Sequence, residues 1–198
     1  MKLLITRHGQ SEGNINKSVY FKMPDWSVPL TEKGKEQANK VGVEIYNNII
    51  DSNDSYKCLL VYSSYTRAKQ TTEIIEKQLT QPRLWIPPFT KFETPLIRER
   101  EWGNLRNEYE ACKNREERNH LFDFYRRPDG GESFADCHQR AFIFLNWLKT
   151  QAADTAVIVS HGEFIKTMLM IIDNVSVEDF DRIPNVKNCE LIIRDIKN

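Results

Sequence analysis

Four short apolar runs predict the buried strands of this chain. They cover residues 2–6, 57–62, 155–160 and 189–195. The runs are largely continuous in hydrophobicity rather than alternating, which is typical of strands buried on both faces of a parallel sheet. We therefore expect these segments to form the interior of one sheet.

Between the runs, apolar residues recur at three- and four-residue spacing, which predicts amphipathic helices. Thr31 is a natural cap before the first helix, and Ser133 with Asp136 has near-capping-box spacing before the third. Alternating strands and helices predict an α/β fold, a three-layer α/β/α sandwich around a mostly parallel central sheet. The four predicted faces are Ala38, Val41, Ile45 and Ile49; Ala68, Thr72, Ile75 and Leu79; Phe134, Ala141, Leu145 and Leu148; and Ile165, Met168, Leu169 and Ile172.

Two of the predicted strands end on the same dipeptide. "LLITRHGQSEGN" ends its apolar run before His8-Gly9, and "AVIVSHGEF" ends its run before His161-Gly162. Ligands of α/β sheets bind just beyond the carboxyl ends of the strands. The repeat therefore predicts that both imidazoles reach one crevice.

Arginines accompany these histidines. Arg7 precedes His8, and Arg67 follows the second run at a predicted helix start, where free N–H groups favour an anion. Guanidinium groups match phosphate oxygens, and imidazole can donate, accept or attack. Asn14 adds an amide donor, and Glu99 in "PLIREREWGNL" is a candidate proton donor. The set predicts a site for a dianion such as phosphate.

A metal site is the rival interpretation of the same residues. His8, His161 and a carboxylate could ligate a divalent cation, but the neighbouring arginines would repel it, so we expect no metal. The other two histidines, His120 and His138, are expected to be structural.

Composition narrows the set of partners. Lys plus Arg equals Asp plus Glu at 28 each, so no long-range field favours nucleic acid or an acidic membrane. The four cysteines are widely spaced, and no apolar run reaches membrane-spanning length. We expect a cytoplasmic protein with reduced thiols and a small-molecule partner. A homodimer is compatible with this composition.

The segment 104–129 has a different character, because it mixes arginines with glutamates. One interpretation is a solvated, ion-paired surface helix. The other is a lid-like insertion, at about 104–130, that covers the crevice of a single domain spanning 1–198 and contacts substrate.

The sequence "RHGQSEGN" resembles the R-H-G-x-S-x-x-N signature of the histidine phosphatase superfamily, the phosphoglycerate-mutase-like proteins. Further similar blocks follow in family order: "PLTEKGKEQA", "SSYTRAKQTTEII", "LIREREWG", "GGESFADCHQR" and "VIVSHGEF". The resemblance covers most of the chain and implies the phosphoglycerate-mutase-like variant of the α/β/α fold.

The resemblance also implies roles. His8 is the nucleophile that becomes phosphorylated, and Arg7, Arg67 and His161 bind the phosphoryl oxygens. Asn14 and Gly162 join this binding set. Glu99 occupies the position of the family's acid/base, with Glu101 as the fallback. Tyr20, Lys22, Arg126 and Arg127 are candidate selectivity contacts.

The family contains both phosphatases and mutases, and this chain departs from the true phosphoglycerate mutases. Gly13-Asn14 is followed by "YFKMPDWSVPLT", and Glu163-Phe164 stands where mutases carry Asn-Ser. A carboxylate at Glu163 would disfavour a bisphosphorylated acid by about 4 kcal/mol per close charge pair at an effective dielectric near 20. We therefore predict a phosphatase that acts on a phosphomonoester without a cofactor. The alternatives are a cofactor-dependent phosphoglycerate mutase and a non-catalytic phosphate-binding module.

Overall fold

In a computed structural model, a five-stranded sheet forms the centre of the molecule. The structure describes residues 1–50, 57–80, 89–104, 107, 111–113 and 122–197. Half of the segment 104–129, including His120, lies outside these described residues. The strands are β1 (Lys2–Arg7), β2 (Cys58–Ser63), β3 (Thr90–Thr94), β4 (Thr155–Ser160) and β5 (Leu191–Asp195).

The strand order is β3-β2-β4-β1-β5. Neighbouring strands are parallel except for β5, which runs antiparallel to β1. This arrangement confirms the mostly parallel sheet. In the register of the two central strands, Arg7 lies beside Ser160. His8 and His161 therefore leave adjacent strands at the same edge of the sheet.

The sheet is covered by helices whose positions match the four predicted faces. The described helices are α1 (Glu12–Ile15), α2 (Glu32–Ile50), α3 (Thr66–Leu79), α4 (Phe134–Lys149) and α5 (Gly162–Ile172). Short 3-10 helices cover Lys17–Phe21, Asp25–Ser27, Pro95–Ile97 and Phe180–Arg182. Among the helices described, none has the length and apolar character needed to cross a membrane.

Both predicted helix caps are confirmed. Thr31 Oγ1 accepts a hydrogen bond of 3.0 Å from the Gly34 N–H in the first turn of α2. At the start of α4, Ser133 and Asp136 form a reciprocal capping box. These bonds satisfy N–H groups that a helix start otherwise leaves without an intrahelical partner.

Two hydrophobic cores lie on opposite faces of the sheet, because successive strand residues point in opposite directions. Leu4, Leu60 and Val157 pack with the buried faces of α2 and α3. Ile5 and Ile158 pack with those of α4 and α5 on the other side. The predicted three-layer architecture is therefore confirmed.

The apolar pattern did not predict β3, and it placed the start of β5 two residues too early. β3 is an edge strand whose first four residues are exposed, so burial leaves little signal in its sequence. Cys189 has a φ of 55°, a left-handed conformation that cannot continue a strand. β5 therefore begins only at Leu191.

Candidate active site

A cavity of about 510 Å³ opens beyond the carboxyl ends of the parallel strands. It receives residues from the end of β1, from α1 and the 3-10 segments after it, and from the starts of α3 and α5. The described residues that line it are Arg7, His8, Asn14, Lys17, Tyr20, Phe21, Asp25, Arg67, Glu99, Trp102, Phe122, Gly162, Glu163, Asn185 and Val186.

Two contacts define the state of His8. Its Nδ1 lies 2.7 Å from the Gly9 carbonyl oxygen, an acceptor that requires the proton on Nδ1. The Arg67 Nε–H donates to His8 Nε2 at 3.2 Å, which requires a lone pair there. Burial, followed by Arg67 and Arg7, lowers the pKa of His8 well below 6.5. The ring is therefore neutral near pH 7, with Nε2 as its basic atom.

His161 lies against His8 with ring centroids 5.1 Å apart. It is fully buried and is not part of the cavity lining. Its Nε2 lies 2.8 Å from Ser63 Oγ, and its buried Nδ1 has no hydrogen-bond partner in the described part of the chain. Burial, Arg67 and His8 lower the pKa of His161 well below 6.5, so this ring is also neutral.

The two arginines are held by different neighbours. Arg67 is almost fully buried, and its Nη1 donates to the Asp25 carbonyl oxygen at 2.6 Å and to Asp25 Oδ1 at 2.9 Å. Arg7 Nη1 donates to the Val186 carbonyl oxygen at 2.8 Å, while its buried Nε has no described partner. A Cβ on Gly162 would lie 3.4 Å from the Arg7 guanidinium carbon, an ordinary van der Waals distance, so the start of α5 lies directly beside Arg7.

Asn14 is fixed through its carbonyl end. Its Oδ1 accepts hydrogen bonds from the Ser11 N–H at 3.0 Å and from Asn188 Nδ2 at 3.2 Å. Asn188 Nδ2 also donates to the His8 carbonyl oxygen at 2.9 Å, which ties the residues after β1 to the segment before β5. With its oxygen used in this way, Asn14 has its Nδ2 amide to offer to a ligand.

Glu99 has the chemistry of a proton donor at neutral pH. Burial and the charge of Glu163 raise its pKa to about 7, against the opposing effect of Arg67 and Arg7. Its Oε1 accepts N–H groups from Arg100 at 3.1 Å, from Glu163 at 3.2 Å and from Phe164 at 3.3 Å. Because Oε1 serves as an acceptor, the proton of the neutral acid resides on Oε2.

Glu163 is paired with a buried arginine, which changes the repulsion expected from its carboxylate. Arg100 is 1% exposed, and its Nε and Nη2 donate to the two carboxylate oxygens at 2.7 and 3.3 Å. Trp102 Nε1 adds a third hydrogen bond at 3.0 Å. The repulsion of about 4 kcal/mol expected from the sequence is therefore an overestimate, because Arg100 offsets the charge.

The structure brings most predicted site residues to this cavity. Arg7, His8, Asn14, Arg67, Glu99 and Gly162 line it, and His161 lies directly behind His8. Of the four candidate selectivity contacts, Tyr20 alone is on the wall. Lys22, Arg126 and Arg127 are absent from the described lining, and Arg127 pairs with Asp136 instead.

The two remaining candidates have other surroundings. Glu101, the fallback acid, is exposed and does not belong to the described lining. His138 is half-buried on α4, where its ring packs edge-on against Phe124 at 6.2 Å. This aromatic contact fits the structural role expected for His138.

Sequence reasoning missed the partners that orient the site. Asp25 holds Arg67, Ser63 contacts His161, and Arg100 holds Glu163. Their types and positions were visible in "KMPDWSVPL", "VYSSYTR" and "IRERE". No periodicity or spacing links partners that are up to 98 residues apart in the chain.

The fold and the cavity define the class of protein: an α/β protein with a crevice lined by arginine and histidine at the carboxyl edge of its sheet. Residues 3–198 match the sequence profile of the histidine phosphatase superfamily, branch 1. The chain belongs to this family, as its motifs indicated.

Curated relatives include two phosphoglycerate mutase-like proteins of Arabidopsis thaliana. AT74H is 28% identical and AT74 is 32% identical, each aligned over 98% of this chain. The alignments span 74% of AT74H and 65% of AT74. A 2,3-bisphosphoglycerate-dependent phosphoglycerate mutase of Bartonella bacilliformis is 29% identical over 89% of this chain and 84% of its own.

Solved structures share the fold at lower identity. The alpha-ribazole phosphatase of Shigella flexneri has a TM-score of 0.71 and 22% identity, covering all of this chain and 91% of its own. A mycobacterial glucosyl-3-phosphoglycerate phosphatase has a TM-score of 0.72 and 18% identity, covering 97% and 88%. That phosphatase has also been solved in complex with VO3.

Proposed function

We propose that this protein is a phosphatase that hydrolyses a phosphomonoester through a phosphohistidine on His8. The observation that carries the proposal is the state of His8. Its Nδ1–H is held by the Gly9 carbonyl, its Nε2 lone pair is turned toward Arg67, and burial keeps the ring neutral. A neutral, oriented imidazole beside two guanidinium groups suits attack on a phosphorus atom.

In the first half-reaction, the phosphoryl oxygens bind Arg67 and Arg7. The Arg67 Nε–H then donates to a phosphoryl oxygen instead of His8 Nε2, which frees the Nε2 lone pair for attack. His8 Nε2 then forms a bond to phosphorus while the bond from phosphorus to the ester oxygen breaks. Glu99 Oε2 gives its proton to that oxygen, which leaves as an alcohol. His161 Nδ1 and Arg7 Nε have no hydrogen-bond partner among the described residues, which makes them further candidates for contacts to the phosphoryl oxygens.

In the second half-reaction, water attacks the phosphohistidine. The Glu99 carboxylate takes the water proton as the bond from Nε2 to phosphorus breaks, which regenerates neutral His8 and protonated Glu99. Atoms and charges balance with water as the only co-reactant, so the proposal requires no cofactor. Charge neutralisation by Arg7 and Arg67 takes the place of a cation, so it requires no metal either.

Two observations support hydrolysis over mutase chemistry. A bisphosphoglycerate carries two phosphates and a carboxylate, whereas the described lining offers one cation, Lys17, besides Arg7 and Arg67. Several solved neighbours of the same fold are named as phosphatases. Phosphoglycerate mutases are among the sequence relatives, so the experiment must also be able to detect isomerisation.

The test combines product analysis with trapping. Purified protein is given p-nitrophenyl phosphate and, separately, 3-phosphoglycerate with 2,3-bisphosphoglycerate. We expect inorganic phosphate release, and mass spectrometry of base-quenched samples should place the phosphoryl group on His8. His8→Ala should abolish both signals, whereas His138→Ala, which alters a histidine outside the cavity, should retain them.

Two results would overturn the proposal. Efficient conversion of 3-phosphoglycerate to 2-phosphoglycerate with little phosphate release would identify a mutase. The absence of both turnover and phosphohistidine in a folded protein that still binds phosphate would identify a binding module.

A further inference from the structure

The lining of the active-site cavity combines two chemically different sets of side chains. The groups proposed to bind phosphate come from the end of β1 and the starts of α3 and α5. Four aromatic side chains line the same cavity, namely Tyr20, Phe21, Trp102 and Phe122. A volume of about 510 Å³ lies within the range, roughly 300–1,000 Å³, of pockets that enclose a whole small molecule. The cavity therefore has space for the alcohol part of a substrate as well as its phosphate.

Three of the four aromatic side chains are held by described contacts. Trp102 Nε1 is tied to Glu163, and the rings of Trp102 and Phe122 meet edge to face at 6.1 Å. Tyr20 packs over Gly13, where a Cβ atom would overlap the phenol ring. Rings fixed in this way offer a preformed apolar surface, which loses little conformational freedom when a ligand binds.

Charges on the described wall are mostly compensated. Asp25 is paired with Arg67, and Glu163 is paired with Arg100. Lys17, the cation outside the arginine pair, lies 5.9 Å from the centre of the Tyr20 ring. A second acidic group on the substrate would therefore meet one lysine among the described lining residues outside the arginine pair.

Phe21 presents apolar surface at this wall. Its side chain belongs to the cavity lining, and the residue is 64% exposed. Exposed apolar surface in the lining of a cavity marks a binding area. Trp26, a nearby aromatic residue that is 59% exposed, is not part of the described lining.

From these contacts we infer the class of substrate: a phosphomonoester whose alcohol part is aromatic and carries no second acidic group. This inference rests on the proposed phosphatase activity. The phosphate binds between the arginines, and the ring of the alcohol part packs on the wall formed by Tyr20, Phe21, Trp102 and Phe122. Face and edge contacts between rings favour such a substrate over a phosphorylated sugar acid.

The test compares primary alkyl phosphates whose leaving alcohols are similarly basic. 2-Phenylethyl phosphate, glycerol 3-phosphate and 3-phosphoglycerate are assayed by phosphate release, with p-nitrophenyl phosphate as the reference for phosphoryl transfer. We expect kcat/KM for the phenylethyl ester to be at least about 10-fold higher than for either polar ester. The difference should lie mainly in KM, because the ring contacts form in the ground state as well.

Phe21→Ser removes part of the aromatic wall at an exposed position, where folding is least affected. It should reduce the preference for the phenylethyl ester over glycerol 3-phosphate by several-fold, through a higher KM. Trp26→Ser is the matched control, because it removes an exposed aromatic residue of the same segment that is not part of the described lining. That control should preserve the preference.

The possible failures are distinguishable. Hydrolysis of all four esters with a preference for glycerol 3-phosphate or 3-phosphoglycerate would overturn the substrate class and leave the phosphatase proposal standing. A phenylethyl preference that Phe21→Ser and Trp26→Ser leave equally intact would overturn the assignment of the wall. No turnover of any ester, p-nitrophenyl phosphate included, would overturn the proposed function itself.

Discussion

Replacing Glu99 by glutamine tests the proton donor through the leaving group. Glutamine keeps an oxygen that can accept the three N–H groups now bound by Oε1, so the change removes the acidic proton with little change in shape. An alkoxide is a strong base that needs a proton as its bond to phosphorus breaks. p-Nitrophenolate is a weak base that can leave without one.

The environment of Glu99 determines the fraction of molecules that carry its proton at pH 7. With a pKa of about 7, close to half of the molecules carry the proton at pH 7. With the ordinary pKa of 4.5, about one molecule in 300 would carry it, since the difference of 2.5 units corresponds to a factor of about 300. Burial and Glu163 thus raise the protonated fraction of Glu99 at pH 7 by roughly two orders of magnitude.

The assay is single-turnover phosphorylation of His8, measured by rapid quench at pH 7. This design isolates the step in which Glu99 is an acid from the later hydrolysis in which it is a base. Glu99→Gln should slow phosphorylation by an alkyl phosphate about 100-fold or more, the usual scale of general acid catalysis, and by p-nitrophenyl phosphate less than about 10-fold. Glu101→Gln, at an exposed carboxylate outside the described lining, is the control and should leave both rates within about two-fold.

An equal loss of phosphorylation rate for the two substrates would refute this role of Glu99, because loss of a proton donor slows the substrate with the poorer leaving group most. A large loss in Glu101→Gln that depends on the leaving group would instead move the role of the acid to Glu101.

Three further predictions follow from the same geometry. Glu163→Gln removes a negative charge that raises the pKa of Glu99, so the alkaline limb of the pH profile of His8 phosphorylation should move to lower pH. A limb that does not move would show that Glu163 does not tune the donor. Phosphate release should survive EDTA and be inhibited by vanadate, which mimics pentacoordinate phosphorus; loss of activity on chelation with recovery on adding zinc or manganese would favour metal chemistry. Gly34→Ala should lower the free energy of unfolding by about 1–3 kcal/mol in thermal or urea unfolding, because a Cβ there would overlap the backbone of Gln10. Gly42→Ala on the same helix should cost less, because the nearest atom there belongs to the flexible Gln78 side chain. Equal costs for the two variants would contradict the steric argument.

The sequence by itself determined the layers of the fold. Apolar periodicity depends on which side of a helix or strand is buried, and that signal is written locally along the chain. The four helical faces and the caps at Thr31 and Ser133 were therefore predictable. The edge strand β3 was not, because its first four residues are exposed and carry no burial pattern.

The sequence also placed the two His-Gly pairs at strand ends. Because β1 and β4 turned out to be parallel neighbours, His8 and His161 came to lie at one edge of the sheet, with Arg7 beside Ser160. Chain order alone could not supply this adjacency, since the strand order β3-β2-β4-β1-β5 is decided by tertiary packing. That the two histidines share one site was instead implied by the resemblance to the family's motifs.

Only the tertiary structure decided the protonation and charge of the site. The carboxylate of Glu163 is paired with Arg100, which lies 63 residues away in the chain, and the sequence carries no sign of this pairing. Likewise, the pKa of Glu99 rises to about 7 because burial and Glu163 act on it together. Desolvation and Coulomb interactions depend on distance through space, and a sequence does not record the distance between residues that meet only in the folded chain.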